Sequence, residues 1–217
     1  MKVKVQIAGI RTLNDALECV KNGVDSVGLL VGQSHTSADF ISKELARQIV
    51  KALPPYQVST LITHLEKADE LIKLINFIGV NCVQLHSYIP EAEVEKLYKA
   101  LPNIKIVRLI HVNDERATDY SGMKIADAFF TDSINKKTNQ FGGTGLTHNF
   151  NIDKKLAKEL SKPLIIAGGL NADNVVEIIK KVKPYGVDTN SGCKGKDGKM
   201  DYAKLKEFCA KVYSIDL

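Results

Sequence analysis

The chain has 217 residues, 44% hydrophobic and 25% charged, a balance ordinary for one or two globular domains and foreign to disordered, collagen-like or disulfide-stapled chains. Thirty Lys and Arg against 25 Asp and Glu leave a net charge of +5, spread over many segments, with only 6% aromatic residues. This argues against a nucleic-acid partner, which calls for concentrated basic residues, and suits a protein that binds small phosphorylated anions.

No apolar run of about 18 residues offers a transmembrane helix. The start, MKVKVQIAGIRTLNDAL, lacks the apolar core of a secretory signal. A cytoplasmic location and no membrane partner are expected. Cys19, Cys82, Cys193 and Cys209 lie far apart, without a CxxC pair, so free thiols are expected and zinc is not.

In chain order, short β-branched runs predict strands at residues 3–8, 26–31, 57–63, 82–86, 104–110, 128–132, 164–167 and 186–190. Helical spacing predicts helices at 13–22, 42–52, 67–78, 91–100, 113–120, 153–160, 172–183 and 201–213. Thr12 or Asn14 caps the first of these and Gly23 stops it. Strands alternating with helices imply parallel pairing through right-handed crossovers. Eight such units close into a single compact (β/α)8 TIM barrel spanning residues 1–217 as one domain. A doubly wound open sheet competes, but the first strand leads into Ala8-Gly9-Ile10-Arg11 rather than a G-x-G-x-x-G turn. The longest loop signal, residues 133–149, follows the sixth strand, where barrel active sites sit.

Three glycine-rich segments follow the last three strands: Gly142-Gly143-Thr144-Gly145, Gly168-Gly169-Leu170-Asn171 and Asn190-Ser191-Gly192. Each alone is a tight turn. Together, at the same end of consecutive strands, they predict an anion site. Glycine lets backbone N–H groups approach a phosphate closely, and helix N-termini add positive dipole ends. The candidate phosphate-binding residues are Gly143, Gly145, Gly168, Gly169, Ser191 and Gly192.

These segments resemble phosphoribosylanthranilate isomerases, the small (β/α)8 enzymes of tryptophan biosynthesis. Matching stretches include Ala52-Leu53-Pro54-Pro55, Val83-Gln84-Leu85-His86, Asp132 before the GGTG loop, Ala167 to Asn171, and Gly186-Val187-Asp188 with Ser191-Gly192. The resemblance covers nearly the whole chain. It implies an Amadori rearrangement of an aminoaldose phosphate to an aminoketose, with no cofactor and no metal. It also implies that Asp132 is the general acid, that Asp188 and His86 contact the substrate, and that the protein is a monomer or homodimer.

The chain departs from the family in its base. The family's K-I-C-G-I-T reads Gln6-Ile7-Ala8-Gly9-Ile10-Arg11, and Ala8 replaces the cysteine that removes the proton from the sugar's second carbon. A methyl group cannot take a proton. The family's S-x-R-Y-[IV]-S reads Ser37-Ala38-Asp39-Phe40-Ile41-Ser42, a negative charge for a positive one, which disfavours an anionic anthranilate nearby. Candidate substitute bases are His64 at the end of the third strand, His111 just after the fifth, Asp39, and Cys193, whose thiol a helix N-terminus would acidify. The function expected is isomerisation of a phosphoribosyl ligand. The alternatives are a sugar-phosphate barrel with another isomerase, epimerase or lyase activity, and a non-catalytic sensor. A different sugar-phosphate activity predicts that Asp39 and one of His64 or His111 converge on Asp132.

Overall fold

The structure, a computed structural model, describes all residues except 1, 34–35, 113–119, 121, 133, 136–139, 142–149 and 217, and leaves the side chains of residues 111, 134, 135, 140 and 141 undescribed. Its barrel strands are β1 (Lys4–Ile7), β2 (Ser26–Leu30), β3 (Val58–Thr63), β4 (Cys82–Leu85), β5 (Lys105–His111), β6 (Ala128–Asp132), β7 (Leu164–Ile166) and β8 (Gly186–Thr189). They close into a barrel in which every neighbouring pair is parallel, β8 returning to β1. The predicted TIM barrel is the fold, rather than an open sheet.

Among the described residues seven helices follow: α1 (Leu13–Lys21), α2 (Lys43–Ala52), α3 (Ala68–Ile78), α4 (Glu91–Ala100), α5 (Phe150–Glu159), α6 (Val175–Val182) and α7 (Tyr202–Tyr213). The helix expected over 113–120 falls almost wholly outside the described residues. The caps explain most boundaries. Thr12, rather than Asn14, caps α1: its side chain accepts from Asp15 N–H while Asp15 returns a bond to Thr12 N–H, the reciprocal capping box. Ser42 and Asp201 cap α2 and α7 in the same sense. Helix α6 starts three residues later than expected because Asn171 Oδ1 accepts from the N–H groups of Asp173 and Asn174, a local turn that competes with the helix. Helix α5 starts three residues earlier than expected, with Phe150 buried. Within residues 133–149, Ile134–Asn135 pairs antiparallel with Gln140–Phe141, a short ladder the loop composition hides. Among the described residues no helix is long and apolar enough to cross a membrane.

Strand residues alternate between two environments, as a pleat requires. Val5, Ile7, Val27, Leu29, Leu61, Val83, Ile106, Phe129, Ile166 and Val187 pack outward with the helices in one large core. The inner face is divided. On the β4–β7 side Cys82, Val107, Leu109, Ala128, Phe130 and Ala167 form a second apolar cluster. On the other side the interior is polar and joined by hydrogen bonds, and this asymmetry positions the site.

Candidate active site

A relay of fixed polarity crosses the barrel floor. Ser26 Oγ donates to Gln6 Oε1 at 2.9 Å, and Gln6 Nε2 donates to Gln84 Oε1 at 2.6 Å. The second amide hydrogen-bonds His86 Nε2 at 3.1 Å. Because Gln84 presents its NH2 there, His86 Nε2 must accept, so its remaining proton sits on Nδ1. The relay joins β1, β2 and β4 through residues that strand alternation turns inward.

Asp188 sits on β8 in register with Gln6, and only 5% of it is exposed. Its Oδ1 has no hydrogen-bond partner among the described residues. Burial first, and then the charge of Asp132, push this carboxyl up to about 7, against lowering by Gln6, Gln84 and the Ala8 backbone. Asp132 ends β6, is buried, and pairs in register with His111, the last residue of β5 rather than one beyond it.

His64 and His86 line the mouth on the β3–β4 side. Their ring centroids lie 5.7 Å apart at 78°, and His86 stacks on Phe130 at 4.8 Å. His64 Nδ1 hydrogen-bonds Gln33 Oε1. The loop after β2 is fastened to the end of β3 by two further bonds, His64 N–H and Thr63 Oγ1 both donating to Gly32 C=O at 3.1 and 3.0 Å.

Asp39 lies in the segment between β2 and α2. Its carboxylate accepts from Asn190 Nδ2 at 2.9 Å and from Lys194 Nζ, with Arg11 Nε at 4.0 Å. Burial pulls the Lys194 ammonium below the usual lysine range, opposed by its bond to Asp39. The negative charge expected to repel an anionic substrate is therefore matched by two cations. The contacts of Asp39 run to the β1 and β8 loops and those of His64 to Gln33 and His86, two separate clusters.

Cys193 corrects another expectation. It lies in the single turn Ser191–Cys193, fully buried, and burial pushes its thiol up to about 12. The charge of Lys204 lowers it only in part, so this short turn does not acidify the thiol.

Part of the expected anion site is described. Gly168 and Gly169 both take left-handed conformations, φ 91° and 68°, which side chains disfavour. Gly192 packs so closely that a Cβ there would stand 2.0 Å from Leu170 O. Thr189 Oγ1 also donates to Leu170 O at 2.6 Å. The β7 and β8 loops are thus brought together, with Ser191 at their junction. Gly143 and Gly145 lie outside the described residues. Among the described residues no group of three His, Cys, Asp or Glu side chains is arranged to hold a metal. Sequence reasoning missed Gln33 and Lys194; one is an ordinary loop amide and the other one lysine among many until the fold gives them partners.

The family profile described as N-(5'-phosphoribosyl)anthranilate (PRA) isomerase matches residues 5–211. The chain is 40% identical over 210 residues to N-(5'-phosphoribosyl)anthranilate isomerase 2 of Methanosarcina mazei, covering 95% of this chain and 92% of that protein. It is 36% identical over 212 residues to the isomerase of Aquifex aeolicus, covering 98% and 99%. Among solved structures, the Thermotoga maritima isomerase superposes with a TM-score of 0.84 at 29% identity, covering 98% of this chain and 100% of that one. Another isomerase, solved in complex with reduced 1-(o-carboxyphenylamino)-1-deoxyribulose 5-phosphate, gives 0.81 at 27% identity, covering 98% and 100%. By sequence over almost its full length and by fold, the chain belongs to the phosphoribosylanthranilate isomerase family.

Proposed function

We propose that the protein isomerises N-(5'-phosphoribosyl)anthranilate, an intramolecular aldose–ketose step of tryptophan biosynthesis, without the family's cysteine. The observation that carries this is Asp132, a buried carboxyl that ends β6 at the barrel mouth, where the family to which the chain belongs has its aspartate. A general acid must reach the ring oxygen, and a carboxyl at the C-terminal end of a barrel strand stands where barrel active sites are built.

Asp132 donates its proton to the ring oxygen, and the C1–O bond breaks to leave a C1=N iminium. A base then takes the C2 proton. The C2–H electron pair forms C1=C2, and the iminium pair returns to nitrogen. Protonation at C1 and loss of the enol proton give the aminoketose, so the proton count is unchanged. The ligand phosphate sits against the backbone of Gly168, Gly169, Ser191 and Gly192, a reading supported by their left-handed and close-packed geometry. The surplus cation among Asp39, Lys194 and Arg11 favours an anionic aromatic acid there. The four thiols, all free and buried, fit a cytoplasmic setting.

The test is growth without tryptophan of a strain lacking this isomerase, carrying wild type, Ala8→Cys or Asp132→Asn. Rescue by wild type and loss with Asp132→Asn are expected. Failure of wild type refutes the proposal. Rescue by Ala8→Cys alone would then mean that only the base is gone, and failure of all three would indicate another ligand.

A further inference from the structure

We propose that His64 is the general base that replaces the missing cysteine, with Gln33 as the positioning residue that sets its tautomer. This rests on the isomerase reading above and names the group that reading leaves open.

Gln33 Nε2 donates to Ile62 C=O at 2.6 Å. That bond fixes which end of the amide is which, so Gln33 turns its Oε1 toward His64. An amide oxygen only accepts. His64 Nδ1 must therefore be the protonated nitrogen, and in the neutral ring Nε2 carries the lone pair. A base held in its reactive tautomer by an acceptor behind it is the logic of catalytic triads. The loop that carries Gln33 is fixed to the end of β3 by the two bonds to Gly32, so the dyad has a rigid support.

The location agrees. His64 follows Thr63 at the mouth end of β3, the end at which Asp132 closes β6. A row of rings, His64, His86 and Phe130, bridges the strands between them, and Phe130 lies two residues before Asp132 on one strand. Acid and base then lie at the same end of the barrel, on β6 and just after β3, separated by β4 and β5.

Of the other candidates, His111 has an undescribed side chain, and the described ones are occupied differently. Asp39 is bound to Lys194 and Asn190 with Arg11 alongside, which favours a carboxylate that stays where it is. Cys193 is buried with its thiol pushed up to about 12. His86 uses Nε2 to accept from Gln84, so its lone pair belongs to the floor relay. Ala8 offers only a methyl group.

The experiment measures steady-state turnover of phosphoribosylanthranilate by wild type, His64→Ala, His64→Gln, Gln33→Leu and the double variant His64→Ala/Ala8→Cys, each checked for cooperative unfolding. Removing a general base is expected to lower kcat about 100- to 10,000-fold in both His64 variants with KM within about threefold. Added imidazole restores part of the rate to His64→Ala only, and the double variant recovers activity because cysteine supplies a base on β1. Gln33→Leu lowers kcat by about tenfold with KM unchanged, the signature of a lost orienter rather than lost binding. A folded His64 variant with kcat within about threefold of wild type overturns the assignment while leaving the isomerase reading intact. If His64→Ala fails to fold, His64→Gln decides alone. A wild type that does not turn over refutes the isomerase reading and, with it, this assignment.

Discussion

Replacing Asp188 with Asn should stabilise the protein at neutral and alkaline pH and leave it nearly unchanged in acid. Asp188 is 5% exposed, and its carboxyl rises from 3.8 to about 7 on folding, chiefly through burial and then through Asp132. Below about pH 4 the group is protonated in both states, and folding costs nothing in ionisation. Between about 4 and 7 the unfolded chain releases the proton and the folded chain keeps it, so stability falls as pH rises. Above 7 both states are ionised and the full cost of the buried charge remains. At about 1.36 kcal/mol per pH unit, that cost is about 4 kcal/mol.

The assay is urea unfolding of wild type and Asp188→Asn across about pH 4 to 8, urea being chosen because it adds no screening ions. The advantage of the variant should grow from near zero to about 4 kcal/mol over that range. In an Asp132→Asn background the growth should be smaller, because the second cause of the rise has been removed. A difference that stays flat within about 0.5 kcal/mol from pH 4 to 8 refutes the reasoning, since the linkage leaves no other place for the cost to go.

Two further predictions follow from the same contacts. Lys194→Met leaves the Asp39 carboxylate, whose side chain is 15% exposed, with Asn190 and the more distant Arg11, and should cost about 1.5–3 kcal/mol, part of it returned by the double variant Asp39→Asn/Lys194→Met in a thermodynamic cycle. Gly192→Ala drives a Cβ onto Leu170 O, 2.0 Å away. It should lower stability by about 1–3 kcal/mol in thermal melts and weaken retention of inorganic phosphate, because backbone rather than a flexible side chain must yield.

Much of the fold was legible in the chain. The alternation of β-branched runs with helical spacing located all eight barrel strands to within a residue or two, because strand and helix periods are properties of neighbouring residues. The helix starts that drifted, at α5 and α6, are those at which a loop side chain or a buried aromatic competes with the local pattern. The site divided differently. The glycines at 168, 169 and 192 were legible because left-handed backbone and close approach are demands glycine meets locally. The raised pKa of the Cys193 thiol was not legible, because the size of its desolvation depends on everything packed around it.

By itself, the sequence determined the element order, the closed parallel barrel, the glycine turns at one rim and the absence of a thiol at Ala8. Only the tertiary structure decided which groups meet. Asp39 and Lys194 are 155 residues apart in the chain, and Gln6 meets Gln84 across 78. Such pairs leave no trace in local periodicity, since they exist only once the barrel closes and brings strand ends together. The same closure puts Gln33 beside His64 and fixes the ring's proton. It also buries Asp188 in register with Gln6, where removal from water turns an ordinary carboxyl into one that holds its proton near neutrality.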